Sequence, residues 1–131
     1  MTVPLIYTID KKQNAIFTVA SGTLTDQELI EHKERLRIDP HVSAGMVELS
    51  DVRNIEKLMV TPSGIEEFVM QDAHDADLRR EHRLAIVVSQ DLAFGMGRMY
   101  EMMTSENLPN VGIFRDMEEA ASWLGLSGDG S

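Results

Sequence analysis

The sequence predicts a single α/β domain built on a mostly parallel five-stranded sheet. Short runs rich in β-branched and aromatic residues alternate with helical patterns along the 131 residues, a length that suits one domain. The first two runs are separated only by the polar residues 10–14, which predicts a β-hairpin and therefore an antiparallel N-terminal strand. Residues 84–88, LAIVV, form a continuous apolar run typical of a strand buried at the centre of a parallel sheet.

The first half of the chain is predicted to contain three strands and one helix. The predicted strands span residues 3–9, 15–20 and 46–49. Thr25-Asp26-Gln27-Glu28 has the form of a capping box, so the first helix is expected to begin there and to end at Asp39-Pro40. Residues 51–60 are predicted to be a loop or an irregular segment.

The second half is predicted to contain two strands, at residues 84–88 and 111–114, and three helices. The second helix is expected to open at Thr61-Pro62-Ser63-Gly64, with Pro62 at its first position. The third helix is expected over residues 90–105. The fourth is expected to run from Asp116 through Leu124, where Gly125 terminates it.

The predicted order of elements is therefore ββαβαβαβα. We expect it to form one domain over residues 1–125, followed by a disordered tail at residues 126–131, which is rich in Gly and Ser. No internal repeat or linker interrupts this pattern.

Composition excludes several classes of function. The formal net charge of -10 disfavours nucleic-acid binding, which needs a basic surface. The chain contains no cysteine, which removes disulfides, thiolate catalysis and cysteine metal sites. Its longest apolar run, residues 84–88, is too short to cross a bilayer, and no secretory signal pattern is visible. We therefore expect a cytoplasmic protein with no nucleic-acid partner and no transmembrane segment.

Several stretches carry a resemblance to a known family. They are Gly22–Thr25, Glu48–Val52, Arg83–Val88, Leu92–Tyr100, Val111–Asp116 and Ala120–Leu124. With this order of elements, the chain resembles the STAS domain family and, more closely, the stand-alone SpoIIAA-like proteins. These proteins are grouped with STAS domains and with the CRAL-TRIO lipid-transfer domains. The resemblance covers nearly the whole chain and implies a SpoIIAA-like α/β domain without chemistry of its own.

The resemblance also implies a phosphorylation switch. In the anti-sigma-factor antagonists, a partner kinase phosphorylates a serine at the start of the second helix, in an Asp-Ser-x-Gly setting. Here the corresponding stretch is Thr61-Pro62-Ser63-Gly64, with Pro62 in place of the aspartate. Ser63 and Thr61 are therefore the candidate phospho-acceptors. Both residue types are also common at helix starts because they cap, and capping alone is the alternative interpretation.

The stretch LAFGMGRMYEMM, residues 92–103, is the candidate binding surface. On a helix, Leu92, Met96, Met99 and Met103 form one stripe. This stripe predicts either a helix packed on the sheet or the adaptable thioether wall of a pocket. Gly95, at the edge of the stripe, is expected to let the helix approach the sheet closely. The candidate residues for binding a ligand or a partner are Gly64, Phe94, Met96, Arg98, Met99 and Met103.

The remaining charged and polar residues offer weaker signals. Arg98 suits an anionic ligand or, alternatively, a surface salt bridge with Glu101 or Glu106. Residues 71–77 gather three aspartates and a histidine but match no metal motif, so a solvated helix end is the favoured interpretation. His32 is expected to be a partly buried structural residue.

These observations lead to three hypotheses of function. The leading one is a non-enzymatic regulatory module that acts through protein partners and is controlled by phosphorylation. The alternative is a module that binds a small apolar or lipid-like ligand in a pocket beside helix 90–105. The second alternative is an enzyme, which would need Ser, His and Asp side chains to converge in a cleft. No catalytic motif is present, and we expect no cofactor and no metal. The sequence leaves open a homodimer formed through the methionine-rich helix.

Overall fold

The architecture was determined from a computed structural model, which describes residues 5–43, 45–74, 83–104 and 111–126. The strands are β1 (Leu5–Asp10), β2 (Ala15–Thr25), β3 (Val47–Met59), β4 (Leu84–Val87) and β5 (Val111–Phe114). The helices are α1 (Asp26–Ile38), α2 (Pro62–His74), α3 (Asp91–Thr104) and α4 (Met117–Leu124). The predicted order ββαβαβαβα is therefore confirmed.

The five strands form one sheet in which the spatial order β1-β2-β3-β4-β5 equals the order along the chain. β1 pairs with β2 antiparallel, and every later pairing is parallel. The hairpin turn closes with Asn14 in the left-handed region, at φ 55°. Asparagine tolerates that conformation better than most residues. The predicted mostly parallel sheet with an antiparallel N-terminal strand is confirmed.

The prediction of a loop at residues 51–60 is wrong, because β3 continues to Met59. Its second half pairs in parallel with Ser21–Thr25, the extension of β2 beyond the predicted end at residue 20. Two irregularities in register, between Val19 and Ser21 and between Gly22 and Thr23, accommodate this extension. Gly22 has a φ of 68°, a conformation that glycine adopts at no steric cost. The two long strands thus extend past β4 as a ribbon.

Helices cover both faces of the sheet. On one face, Leu49 and Val87 pack against Ala120 and Leu124 of α4. Leu126, in the predicted tail, packs in this cluster and donates its backbone N–H to the Ala121 carbonyl, while residues 127–131 lie outside the described part of the chain.

The opposite face carries the three other helices. Leu84 of β4 packs with Ile65 of α2 and Tyr100 of α3, and Ile16 of β2 packs with Leu36 of α1. Side chains alternate between the two faces along each strand, as the pleat requires. The candidate site lies on this second face.

The predicted helix caps are confirmed at two positions. The Thr25 side chain accepts a hydrogen bond from the Glu28 N–H at 3.2 Å, and Gly125, with a φ of 78°, ends α4. Pro62 occupies the first position of α2, and the Thr61 hydroxyl accepts from the Gly64 N–H at 3.0 Å. Thr61 therefore caps this helix.

One carboxylate joins the starts of α1 and α2. Asp26 accepts hydrogen bonds from the Thr61 backbone N–H at 2.8 Å and from the Thr61 hydroxyl at 2.6 Å. A Cβ atom added at Gly64 would lie only 2.0 Å from Asp26 Oδ1. The close approach of this carboxylate to α2 therefore requires glycine at position 64.

The two glycines of α3 have different surroundings. A Cβ atom at Gly97 would lie 3.0 to 3.3 Å from the side chain of Ile113 on β5, whereas one at Gly95 would meet nothing within 4 Å. The expectation that Gly95 allows the helix to approach the sheet is wrong, because Gly97 is the glycine that faces β5. The four-residue helical repeat places Gly97 together with Ala93 on the covered side.

We expect Gly64→Ala to lower the free energy of unfolding by about 1–3 kcal/mol, because the Asp26 carboxylate must move and lose charge-assisted hydrogen bonds to Thr61. Urea denaturation measures this change. In the background of Asp26→Ala, where no carboxylate is present, the same substitution should cost little or stabilise the helix. An equal cost in both backgrounds would contradict the role assigned to Asp26.

We expect Gly95→Ala to raise the free energy of unfolding by about 1 kcal/mol, since alanine favours a helix and nothing opposes the added methyl group. Gly97→Ala is the matched control at a second interior position of the same helix. There the contact with Ile113 offsets the gain, so its net effect should be close to zero or destabilising. Equal stabilisation by both substitutions would refute the close approach at Gly97.

Candidate ligand-binding cavity

A cavity of about 120 Å³ lies between the sheet and the helices α1, α2 and α3. Its walls are mainly aliphatic: α1 contributes Leu29 and Leu36, α2 contributes Ile65, and α3 contributes Ala93 and Met96. The β2–β3 ribbon closes one side with further leucine and isoleucine side chains. Sites for small molecules are typically concave and apolar in this way, with a few polar groups that fix orientation.

The polar groups of the cavity come from α1 and β3. Leu29, His32, Lys33 and Leu36 follow the i, i+3, i+4, i+7 spacing of one helical face, and all four line the cavity. His32 and Lys33 are only 5% and 2% exposed, an unusual degree of burial for these residue types. Glu48 and Ser50 of β3 line the same cavity and are also buried.

The Glu48 carboxylate is the centre of this polar group. Its Oε2 atom accepts from the Thr18 hydroxyl at 2.8 Å and from the Ser50 hydroxyl at 3.1 Å, and it lies 3.1 Å from His32 Nε2. Because an ionised carboxylate only accepts, this arrangement assigns a proton to Nε2 of His32. Charge-assisted hydrogen bonds of this kind compensate for burying the carboxylate.

The other nitrogen of His32 is unsatisfied. Nδ1 is buried and has no hydrogen-bond partner among the residues that the structure describes. A buried polar atom without a partner costs about 1–3 kcal/mol, so native structures contain few of them. A donor or acceptor supplied from outside the chain would remove this cost.

Tyr7 of β1 packs against the imidazole ring of His32. The two rings meet edge to face, with centroids 5.8 Å apart. The Tyr7 hydroxyl donates to Asp39, the C-cap of α1, at 2.6 Å. This hydrogen bond is the main reason that the pKa of Tyr7 is raised and the pKa of Asp39 is lowered. Tyr7 thus holds both the end of α1 and the imidazole in place.

The enzyme hypothesis required Ser, His and Asp side chains to converge in a cleft. Ser50 and His32 do meet an acidic side chain here, but that side chain is Glu48. The hydrogen bonds also differ from those between a nucleophile and its base. Both hydroxyls, of Thr18 and Ser50, donate to the carboxylate. A nucleophilic serine would instead donate to the imidazole, which would take its proton. The arrangement is therefore suited to holding and orienting a group.

The structure brings only part of the predicted binding surface to this cavity. Met96 lines it, and Met99 packs in the adjoining cluster with Tyr100. Leu92 is 61% exposed, so the prediction that it shares one covered stripe with the methionines is wrong. The side chain of Met103 lies outside the described part of the structure. The covered face of α3 is instead Ala93, Met96, Gly97 and Tyr100, which all line the cavity.

The other predicted residues of α3 lie elsewhere. Phe94 is half-buried, with the guanidinium of Arg115 stacked 4.5 Å from its ring centroid. Arg98 forms a surface salt bridge with Glu101 at 2.8 Å, which was the alternative interpretation of this residue. Neither side chain lines the cavity.

The candidate site residues at the start of α2 do not line the cavity either. Gly64 is buried against Asp26, whereas Thr61 and Ser63 are exposed. The Thr61 hydroxyl is engaged by Asp26 and by the helix cap, while Ser63 follows the cap.

Sequence reasoning missed Thr18, Lys33, Glu48 and Ser50. A signal for Lys33 was available, because His32 and Lys33 occupy the two inner positions of the face that Leu29 and Leu36 define. Glu48, a charged residue within the apolar run of residues 46–49, was a second signal. His32, expected to be partly buried, is almost fully buried and central to the site.

Within the described ranges, no cluster of three or more His, Asp or Glu side chains is placed to hold a metal ion. The side chains of residues 71–77, which the sequence flagged, lie outside those ranges. None of the described helices combines the length and the apolar character that crossing a bilayer demands.

Neither a family model nor a curated protein matches this chain. Among solved structures, it is similar to an uncharacterised protein of the DUF3478 family from Shewanella loihica PV-4, described as having a SpoIIAA-like fold, with a TM-score of 0.58. The two are 17% identical, and the match covers 92% of this chain and 93% of the other. Such a distant likeness speaks for the fold alone. Together with the confirmed order of strands and helices, it shows that this chain has a SpoIIAA-like α/β fold.

Proposed function

We propose that this protein is a non-catalytic module that binds a small, mainly apolar ligand in the cavity between the sheet and α1–α3. The cavity itself is the observation that supports the proposal. It lies beside the third helix, where the sequence placed a ligand pocket as an alternative, and Met96 of that helix forms part of its wall. Methionine side chains are flexible and polarisable, so they adapt to ligands of different shape.

The volume of the cavity indicates what it can hold. Protein interiors are close-packed, so a space of about 120 Å³ lined by aliphatic side chains is larger than an ordinary packing gap. An apolar cavity of about 150 Å³ in another protein stays dry and binds benzene. The ligand enclosed here is therefore about the size of a benzene ring or slightly smaller.

Benzene is a suitable first probe because it tests apolar occupancy without any polar contact. At a concentration ten times its dissociation constant, it should stabilise the protein by about 1.4 kcal/mol, which raises Tm by about 3–6 °C. Thermal unfolding in sealed cells measures the shift, and NMR chemical-shift changes at Ala93 and Ile86 locate the binding. A Tm that does not move at saturating benzene would argue against an apolar site.

Two buried helix alanines provide a matched pair of variants. Ala93 lines the cavity, whereas Ala120 of α4 is fully buried in a cluster on the opposite face. Ala93→Leu should fill the void, preserve or raise Tm, and abolish the benzene-induced shift. Ala120→Leu should destabilise the protein by about 1–3 kcal/mol through overpacking and leave benzene binding intact. If Ala93→Leu still binds benzene with unchanged affinity, the ligand lies elsewhere.

Partner recognition controlled by phosphorylation is the second candidate. It is supported by the exposure of Ser63, because Thr61 caps α2 and leaves Ser63 accessible to a kinase at the surface. A phosphate there would lie near the Asp26 carboxylate, which already occupies the start of α2, and like charges would weaken the contact between α1 and α2.

The expected result for this second candidate is a protein from its native cells that carries the added mass of one phosphate on Ser63. Intact-mass and peptide mass spectrometry make the measurement, and Ser63→Ala, with Thr61 unchanged, is the control. A protein that is unmodified under all growth conditions would refute the switch. The same native spectra show whether the chain is a monomer or the homodimer that the sequence leaves open.

A further inference from the structure

We propose that the hydrogen bonds between Asp26 and Thr61 form a latch over the entrance of the cavity, so that a ligand enters and leaves between α1 and α2 when the latch opens. This inference rests on the proposed function, since it assigns an access route to the same cavity. It is supported by the position of the latch, by the exposure of the walls beside it and by the way in which α1 is held.

The latch lies within the wall of the cavity. Asp26 accepts from the Thr61 backbone N–H at 2.8 Å and from its hydroxyl at 2.6 Å, and this contact joins the starts of α1 and α2. On both sides of the latch, the nearest aliphatic residues along the chain line the cavity: Leu24, Leu29, Val60 and Ile65. Separating Asp26 from Thr61 would therefore part the wall at the place where the two helices meet.

The cavity approaches the surface beside the latch. Leu29 and Val60 line the cavity but are only half-buried, and the hydrogen bonds of the latch are themselves exposed. The other end of the wall is closed, because Leu36 of α1 and Leu5 of β1 are each only 3% exposed. An entrance at the latch is therefore shorter than one past the far end of α1.

The first helix is held mainly by polar contacts. The latch holds its start, and the Tyr7 hydroxyl donates to Asp39, its C-cap, at 2.6 Å. Only three of the 13 residues of α1 are buried: His32, Lys33 and Leu36. Segments with few buried apolar contacts open at low cost, so the start of α1 can move once the latch is broken.

A route beside α3 is the alternative, because Met96 and Gly97 also line the cavity and are half-buried. That helix is held by apolar packing. Tyr100 is buried in a cluster with Leu84, and Gly97 lies against Ile113 of β5. Opening a packed apolar contact costs more than opening exposed hydrogen bonds, which favours the route between α1 and α2.

Asp26→Ala removes both hydrogen bonds of the latch. We expect it to raise the rates at which fluorobenzene enters and leaves the cavity about tenfold and to keep the dissociation constant within about threefold, because a latch acts on the barrier between the free and bound states. ¹⁹F NMR exchange spectroscopy measures both rates. A merely structural role of Asp26 would change the dissociation constant without this parallel change in the two rates.

Tyr7→Phe is the matched control. It removes a hydrogen bond of the same length at the other end of α1 and keeps the ring that packs on His32. Both exchange rates should stay close to those of the wild type. Equal acceleration by Tyr7→Phe and Asp26→Ala would mean that α1 opens as a whole, and would overturn the latch.

A reversible cross-link tests the latch within one molecule. A Cβ atom at position 64 would touch the Asp26 carboxylate, so cysteines at positions 26 and 64 are close enough for a disulfide, and the natural chain contains no cysteine that would interfere. The oxidised Asp26→Cys/Gly64→Cys protein should exchange fluorobenzene at least about tenfold more slowly than its reduced form, and reduction should restore the rate. Equal rates in the two forms, or cysteines that fail to join, would contradict the latch.

The outcomes separate the latch from the proposed function. Unchanged exchange rates in Asp26→Ala, while fluorobenzene still binds, would overturn the latch, move the entrance to α3 and leave the binding function standing. A wild-type protein that binds neither benzene nor fluorobenzene would overturn both.

Discussion

A single buried carboxylate oxygen is the constraint on which the candidate site depends. Glu48 Oε2 draws its hydrogen bonds from β2, from β3 and from α1, so one atom ties together the hairpin, the long strand and the first helix. A carboxylate at this depth would be costly without such donors. The demand for donors explains why α1 turns His32 toward the sheet, and why a helix with so few apolar residues docks there at all.

The cavity reflects the choice of side chains on α3. Ala93 and Gly97 are small residues on its covered face, and Gly97 lets the helix lie against Ile113 of β5. Larger side chains at these two positions would fill the space between the helix and the sheet. The face under α3 is therefore less closely packed than the opposite face, where Ala120, Leu124 and Trp123 of α4 cover the sheet. The two faces of one sheet are therefore packed differently, one closed by α4 and the other with a cavity beneath α1–α3.

Local signals were sufficient to predict the fold and insufficient to predict the site. The capping box at Thr25 and the apolar run of residues 84–88 act within a few residues, so they can be read directly from the sequence. The second half of β3 could not be predicted in this way. Its partner is the extension of β2, far away along the chain, and many of its side chains are polar and exposed. Glu48 likewise gathers donors from separate elements. The local signatures of the site were the inner position of His32 and Lys33 between two leucines and the charge of Glu48 within an apolar run.

The agreement between strand order and chain order has a consequence for how this protein is made. Each strand pairs with its neighbour in sequence, so the sheet can be assembled in one direction, from β1 to β5, as the chain is made. The polar residues, from Thr18 to Ser50, all belong to the part of the chain that a ribosome releases first, whereas Ile65, Ala93 and Met96 follow later. During synthesis, the polar cluster around Glu48 can therefore be assembled before α2 and α3 complete the cavity.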